Sequence, residues 1–129
     1  MLGIQLAKRY AKEFGFKILT EEANYIVFKY QMNSIHVWSK DDDEHFIMIT
    51  LPNFDEVSEG RINEIKNWCY IINKEMKQIK LYVMDGIILA AAEIYFMDER
   101  DFTFQMERAL NNLITAKFMY NNKTEFLGD

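Results

Sequence analysis

The stretch Ile79-Lys80-Leu81-Tyr82-Val83-Met84-Asp85-Gly86-Ile87-Ile88-Leu89-Ala90-Ala91-Ala92-Glu93-Ile94-Tyr95-Phe96-Met97 decides the architecture. Its first six residues follow the period of two that a strand imposes on its side chains. Asp85-Gly86 is the strongest short hairpin signal, because a two-residue loop needs positive φ at both positions. Ile87 to Met97 then returns as a long strand. Downstream, Asp98 and Glu99 favour the positive end of a helix, and Asp101 is the expected cap. That helix is predicted over Phe102 to Tyr120, with Met106, Leu110, Leu113 and Lys117 along one side and Ala109 and Ala116 beside them.

Upstream of the hairpin, Ile62, Ile65, Cys69, Ile72 and Met76 recur at helical spacing and predict a helix from about Ser58 to Met76. Before it lie three strand candidates. Tyr25 to Tyr30 is β-branched and aromatic, and Ile35 to Trp38 resumes after Gln31-Met32-Asn33-Ser34, where Asn33 can take the positive φ of a reversal. A third strand, His45 to Leu51, follows the acidic run Asp41-Asp42-Asp43-Glu44 and is expected to end at Pro52, which cannot donate to a ladder. At the start, Leu2, Leu6, Tyr10 and Phe14 share one helical face, and Gly15 is a plausible stop. The expected fold is α+β: a five-stranded antiparallel sheet with three helices in the order α-β-β-β-α-β-β-α.

This order, together with the segment Ile79 to Met97 and the helix over Phe102 to Tyr120, resembles the YbjN-like bacterial sensory transduction regulators, whose fold is that of type III secretion chaperones. The likeness covers nearly the whole chain. It implies a non-enzymatic regulator or chaperone-like binder, dimeric in form, and it brings no catalytic residues with it.

Composition sets outer limits. The 129 residues fit a single domain over 1–129, and half of them are apolar, 15% aromatic. A net charge of −5 with no basic run beyond Lys8-Arg9 argues against nucleic acid and anionic membranes as partners. The longest apolar run, Gly86 to Ala92, is far short of the ~20 residues of a membrane span. Met1 to Arg9 does not read as a secretory leader, and the single cysteine, Cys69, cannot form an internal disulfide. The expected setting is the bacterial cytoplasm.

Chemistry is hard to find. His36 and His45 both fall at strand positions, and Cys69 lies on the apolar seam of its helix, where a thiol is not activated. The acidic run read as a calcium loop from Asp41 would put Phe46 at position 6 and Pro52 at position 12, where Gly and Glu are needed. Zinc spacings and glycine-rich phosphate loops are absent. No enzyme, cofactor or metal is expected.

The excess lies in the strands. If the helices cover one sheet face, that face takes Ile26, Phe28, Ile35, Val37, Ile47, Ile49, Leu81, Val83, Ala90, Ala92 and Ile94. A wet second face should then be polar at alternate positions. The alternates are instead Trp38, Phe46, Met48, Tyr82, Met84, Leu89, Ala91, Tyr95 and Met97. Three occupants compete for this second face: a terminal segment such as Phe118 to Leu127, a second copy in a homodimer, or a protein partner. Trp38, Phe46, Met48, Tyr82, Met84 and Tyr95 are the candidate binding residues. Glu93, alone among alanines, needs a cationic or hydrogen-bonding partner if its side is covered.

Overall fold

A computed structural model describes residues 2–40 and 42–126. Its elements run α1 (Leu2–Glu13), β1 (Ile18–Glu22), β2 (Tyr25–Tyr30), β3 (Asn33–Lys40), β4 (Asp43–Glu56), α2 (Ile62–Glu75), β5 (Ile79–Met84), β6 (Ile87–Tyr95), α3 (Glu99–Asn121) and α4 (Lys123–Phe126). The strands form a six-stranded sheet in the order β1-β2-β3-β4-β6-β5, and every neighbouring pair is antiparallel. This is a mixed α/β architecture with four helices, where five strands and three helices were expected.

The hairpin that anchors the reading forms as its chemistry requires. Asp85 and Gly86 have φ of +52° and +77°, and β5 pairs with β6 from Met84↔Ile87 back to Ile79↔Ala92. The earlier reversal uses different residues from those expected. Gln31 and Met32 carry the positive φ (+49° and +67°), while Asn33 is a paired strand residue opposite Tyr30. The Asn33 amide donates to the Gln31 carbonyl at 2.8 Å, which helps hold two residues without β-branching in a conformation costing roughly 1–2 kcal/mol each.

Three boundaries move for physical reasons. β4 runs through Pro52 to Glu56, because pairing with β3 ends at Thr50 and the register against β6 shifts after Pro52, so the missing N–H falls where the ladder is already giving way. α2 begins at Ile62, since Ser58 to Arg61 close a separate turn (Arg61 N–H to the Ser58 carbonyl, 3.1 Å). α3 begins at Glu99: Asp98, and not Asp101, is the cap, accepting from the Asp101 N–H at 2.8 Å, while the Asp101 carboxylate accepts from the Met97 N–H at 2.9 Å. The unforeseen strand, β1, is a sheet edge with four of its five residues exposed, so it shows no alternation.

α1, α2 and α3 pack on one sheet face and the core sits between. All the residues assigned to that face are buried apart from Val83, which is half-buried. Each fully buried Ile, Leu or Phe contributes roughly 1.5–3 kcal/mol. α1 lies closest: a Cβ added to Gly3 would stand 2.5 Å from Ile47 Cγ2, so the helix approaches β4 through a residue with no side chain. It ends in a Schellman cap, with Gly15 at φ +74° and the Phe16 N–H bonded to the Ala11 carbonyl at 2.8 Å. Among the described residues no helix is long and apolar enough to cross a membrane.

Candidate functional site

The second face of the sheet is built by register. Tyr25 pairs with Trp38, Trp38 with Met48 and Met48 with Glu93, which sets one row across β2, β3, β4 and β6. A parallel row runs from Val27 through His36, Thr50 and Ala91 to Lys80, and Pro52, Leu89 and Tyr82 form a third. Because the period is two, these side chains leave the sheet on the side away from α1, α2 and α3, although Lys80, at the sheet edge, bends its ammonium back to the end of α2. Among the described residues no helix covers them. The described part of the Phe118 to Leu127 segment is the end of α3 and α4, and it is fixed elsewhere: the Tyr120 hydroxyl donates to Asp55 at 2.8 Å, and the Lys123 ammonium lies 5.9 Å from the Trp68 ring. Leu127 lies outside the described residues.

Four of the six candidate binding residues surround one hollow. Trp38, Met48, Tyr82 and Met84 line it with His36 and Leu89, and it measures about 350 Å³. Trp38 and Met84 are 42% and 44% exposed and line the same hollow, which makes a surface on which they can be touched. Leu89 and Val27 are buried within the face and form its floor. Phe46 and Tyr95 are a separate pair with ring centroids 4.9 Å apart; Phe46 is only 6% exposed and supports, while Tyr95 at 65% is the accessible member. Met97, also assigned to this face, lies past the end of β6 beside the start of α3 and near Phe104.

His36 lies beside Trp38 on this face, and Tyr25, which had not been assigned to it, belongs to it too. The Tyr25 hydroxyl stands 2.6 Å from His36 Nδ1, and the Tyr25 ring lies 4.0 Å from that of Trp38. Counting by twos from Val27 would have found Tyr25. Burial lowers the His36 pKa below its ordinary value, so the ring is neutral near pH 7. Burial, then the Glu22 charge, raises the Tyr25 phenol, and burial, then Glu93, raises that of Tyr82. These hydroxyls stay protonated near neutral pH, so each has a proton to donate.

Glu93 stands between two hollows. It adjoins a second hollow of about 400 Å³ with Met48, Tyr82 and Lys80, and a third of about 300 Å³ with Asp42, Asp43 and Lys40. Its side chain is exposed and makes no ion pair among the described residues. Lys80, the nearest cation by register, turns away, donating to the Asn73 and Met76 carbonyls at 3.1 and 3.4 Å.

Reactive groups do not gather here. Burial pushes the Cys69 thiol up to about 11, with Lys123 opposing weakly, so almost no thiolate exists at neutral pH. Cys69 instead borders a groove of about 340 Å³ between α2 and β5, on the helical side. Among the described residues no three His, Cys, Asp or Glu side chains converge as a metal site would require. Asp41, the first member of the acidic run, lies outside the described residues.

The helix, meander, helix, hairpin and helix arranged on one open sheet define the YbjN-like, type III secretion chaperone-like fold, which bears out the resemblance read from the element order. The solved structures it matches are named as follows. YbjN of E. coli, a candidate transcription regulator, superposes with a TM-score of 0.71 over 94% of this chain and 93% of that one, at 11% identity. An uncharacterised protein of Methanothermobacter thermautotrophicus gives 0.64 over 97% and 99%, at 15% identity. The Yersinia pestis type III secretion chaperone SycH, solved with a stable fragment of YscM2, gives 0.59 over 91% and 98%, also at 15%. At these identities the likeness is one of fold. No family model matches the chain. In sequence, 80 residues are 34% identical to the ribosomal RNA small subunit methyltransferase H of Oenococcus oeni, a match covering 59% of this chain; the chain spans 26% of that protein's length.

Proposed function

We propose that this protein is a non-enzymatic regulatory or chaperone-like binder that docks a protein partner on the open face of its sheet. The observation that carries this reading is the apolar cluster of Trp38 and Met84, both exposed, with half-buried Met48 and Tyr82, around one hollow on a face that no described helix covers. Aromatic side chains bring large rigid contact area, and the thioether of Met adapts to varied apolar surfaces. Two fold neighbours support it in kind, one a candidate regulator and the other a chaperone solved with a protein fragment. The free cysteine supports a reducing, cytoplasmic setting.

Trp38→Ala and Tyr82→Ala test the face. Both side chains are part-exposed, so each variant should keep its melting temperature within a few degrees while losing partner capture in pull-downs. If both variants keep full self-association and partner capture, the face is not the docking surface. A metabolite retained in native mass spectra, and lost in the Trp38 variant, would favour a small-molecule binder instead.

A further inference from the structure

We propose that the occupant of this face is an amphipathic helix of a partner protein that carries a lysine or arginine beside its apolar stripe, with Glu93 as the residue that pairs with that charge. The inference rests on the docking reading above and adds the chemistry of the partner.

Geometry favours a helix over an added strand. The free edge of β5, which borders the apolar hollow, is already filled at Leu81: Asn73 Oδ1 accepts from the Leu81 N–H at 2.6 Å and Asn73 Nδ2 donates to its carbonyl at 2.9 Å. That pair of bonds is what a neighbouring strand would make, so the ladder is closed there. The other edge, β1, lies beyond β2 and β3 and carries Glu21 and Glu22. Side chains facing outward from β3, β4, β6 and β5 remain. Three strand spacings give a width of about 14 Å, enough for one helix of roughly 10–12 Å diameter.

Charge selects what that helix carries. Glu93 has Met48 directly across the ladder and Tyr82 beside it, and Asp42 and Asp43 lie on its far side. Two cations stand by: the Lys80 ammonium is held at 3.1 and 3.4 Å by carbonyls at the end of α2, and Lys40 lines the hollow with Asp42 and Asp43, so the carboxylates of Glu93, Asp42 and Asp43 outnumber them. An apolar stripe seated over Trp38, Met48 and Tyr82 would bring its flanking residue to Glu93. A cation there is attracted, while a carboxylate meets like charge. The chain's net charge of −5 acts in the same direction at long range.

The test is selection from a displayed library of random 16-residue peptides on the wild-type protein and on Glu93→Lys, with Glu93→Gln for affinity measurements. Wild type should enrich peptides with helical apolar spacing and an adjacent Lys or Arg, and these should fail to bind Trp38→Ala. Glu93→Lys should shift the flanking residue to Asp or Glu, and Glu93→Gln should weaken the wild-type peptides about two- to fivefold, an effect that salt removes. Peptides that need Trp38 but show no basic preference, and bind Glu93→Lys unchanged, would overturn this inference and leave the docking face standing. Peptides that bind equally well to Trp38→Ala and Tyr82→Ala, or none at all, would overturn both. A wild-type dimer in light scattering that Trp38→Ala dissociates would give the face to a second copy and overturn the helix.

Discussion

His36 is the histidine of the candidate face, and its pKa is lowered by burial. Its imidazole is half-buried between β2 and β4, and desolvation disfavours the charged ring. The Tyr25 hydroxyl 2.6 Å from Nδ1 can donate to the neutral ring; once Nδ1 is protonated, the hydroxyl oxygen must accept instead. A base whose folded pKa is lowered contributes stability that is full above its ordinary value near 6.5 and is lost as pH falls below it. Wild type should therefore lose its stability margin over His36→Gln as pH falls through and below about 6.5. Denaturant midpoints of the two proteins at several pH values read this directly, and profiles that stay parallel would dismiss the role of His36. At this scale the sequence was readable in part. Parity alone placed Trp38, Met48, Tyr82 and Met84 on one face, but it could not tell that Phe46 would sink beneath Tyr95, because depth depends on neighbours from other strands.

Asn73 shows what governs the elements. It sits on α2 at a half-buried position, and helical periodicity gave no reason to single it out. Its amide nonetheless completes the outer edge of β5 by taking both polar groups of Leu81. Edges left open invite pairing with other chains, and a side-chain amide is one way to close them. Asn73→Ala should cost about 1–3 kcal/mol, since it strands a backbone donor and acceptor at a residue that is 2% exposed. It should also raise concentration-dependent association at the bared edge. Urea denaturation and light scattering check the two parts; an Asn73→Ala protein as stable and as monodisperse as wild type would show that the amide is incidental. Hairpins and long helices were legible here because turn chemistry and periodicity are local. β1 was not, because an exposed edge strand leaves no alternation to read. The passage of β4 through Pro52 was hidden too, since it depends on where the neighbouring strands stop.

For the whole molecule, the order β4-β6-β5 is the fact no local pattern contains, because it is set by how α2 carries the chain across the sheet. α3 then locks this arrangement through contacts far apart in sequence. The Lys117 ammonium donates to Asn33 Oδ1 at 2.6 Å, the Tyr30 hydroxyl to Asn111 Oδ1 at 3.1 Å, and the Tyr120 hydroxyl to Asp55 at 2.8 Å. The last joins the end of α3 to the end of β4, where Arg61 also lies 3.6 Å from the carboxylate. Burial by itself would raise the Asp55 pKa, but the hydrogen bonds from Tyr120 and the Glu56 N–H, with Arg61 and Lys123 nearby, hold it below the ordinary carboxylate value. A carboxyl group with a lowered folded pKa contributes stability that is present above its ordinary value and is lost as pH falls through the folded one. Tyr120→Phe removes a charge-assisted bond and should cost about 1.5–3 kcal/mol at neutral pH. Below about pH 4 the wild-type advantage should shrink as Asp55 takes up its proton in both proteins. Chemical denaturation from pH 7 to pH 3 measures this gap; a gap that stays constant across the range would mean that the hydroxyl acts independently of the Asp55 charge, and no gap at all would mean that Tyr120 stabilises through its ring alone.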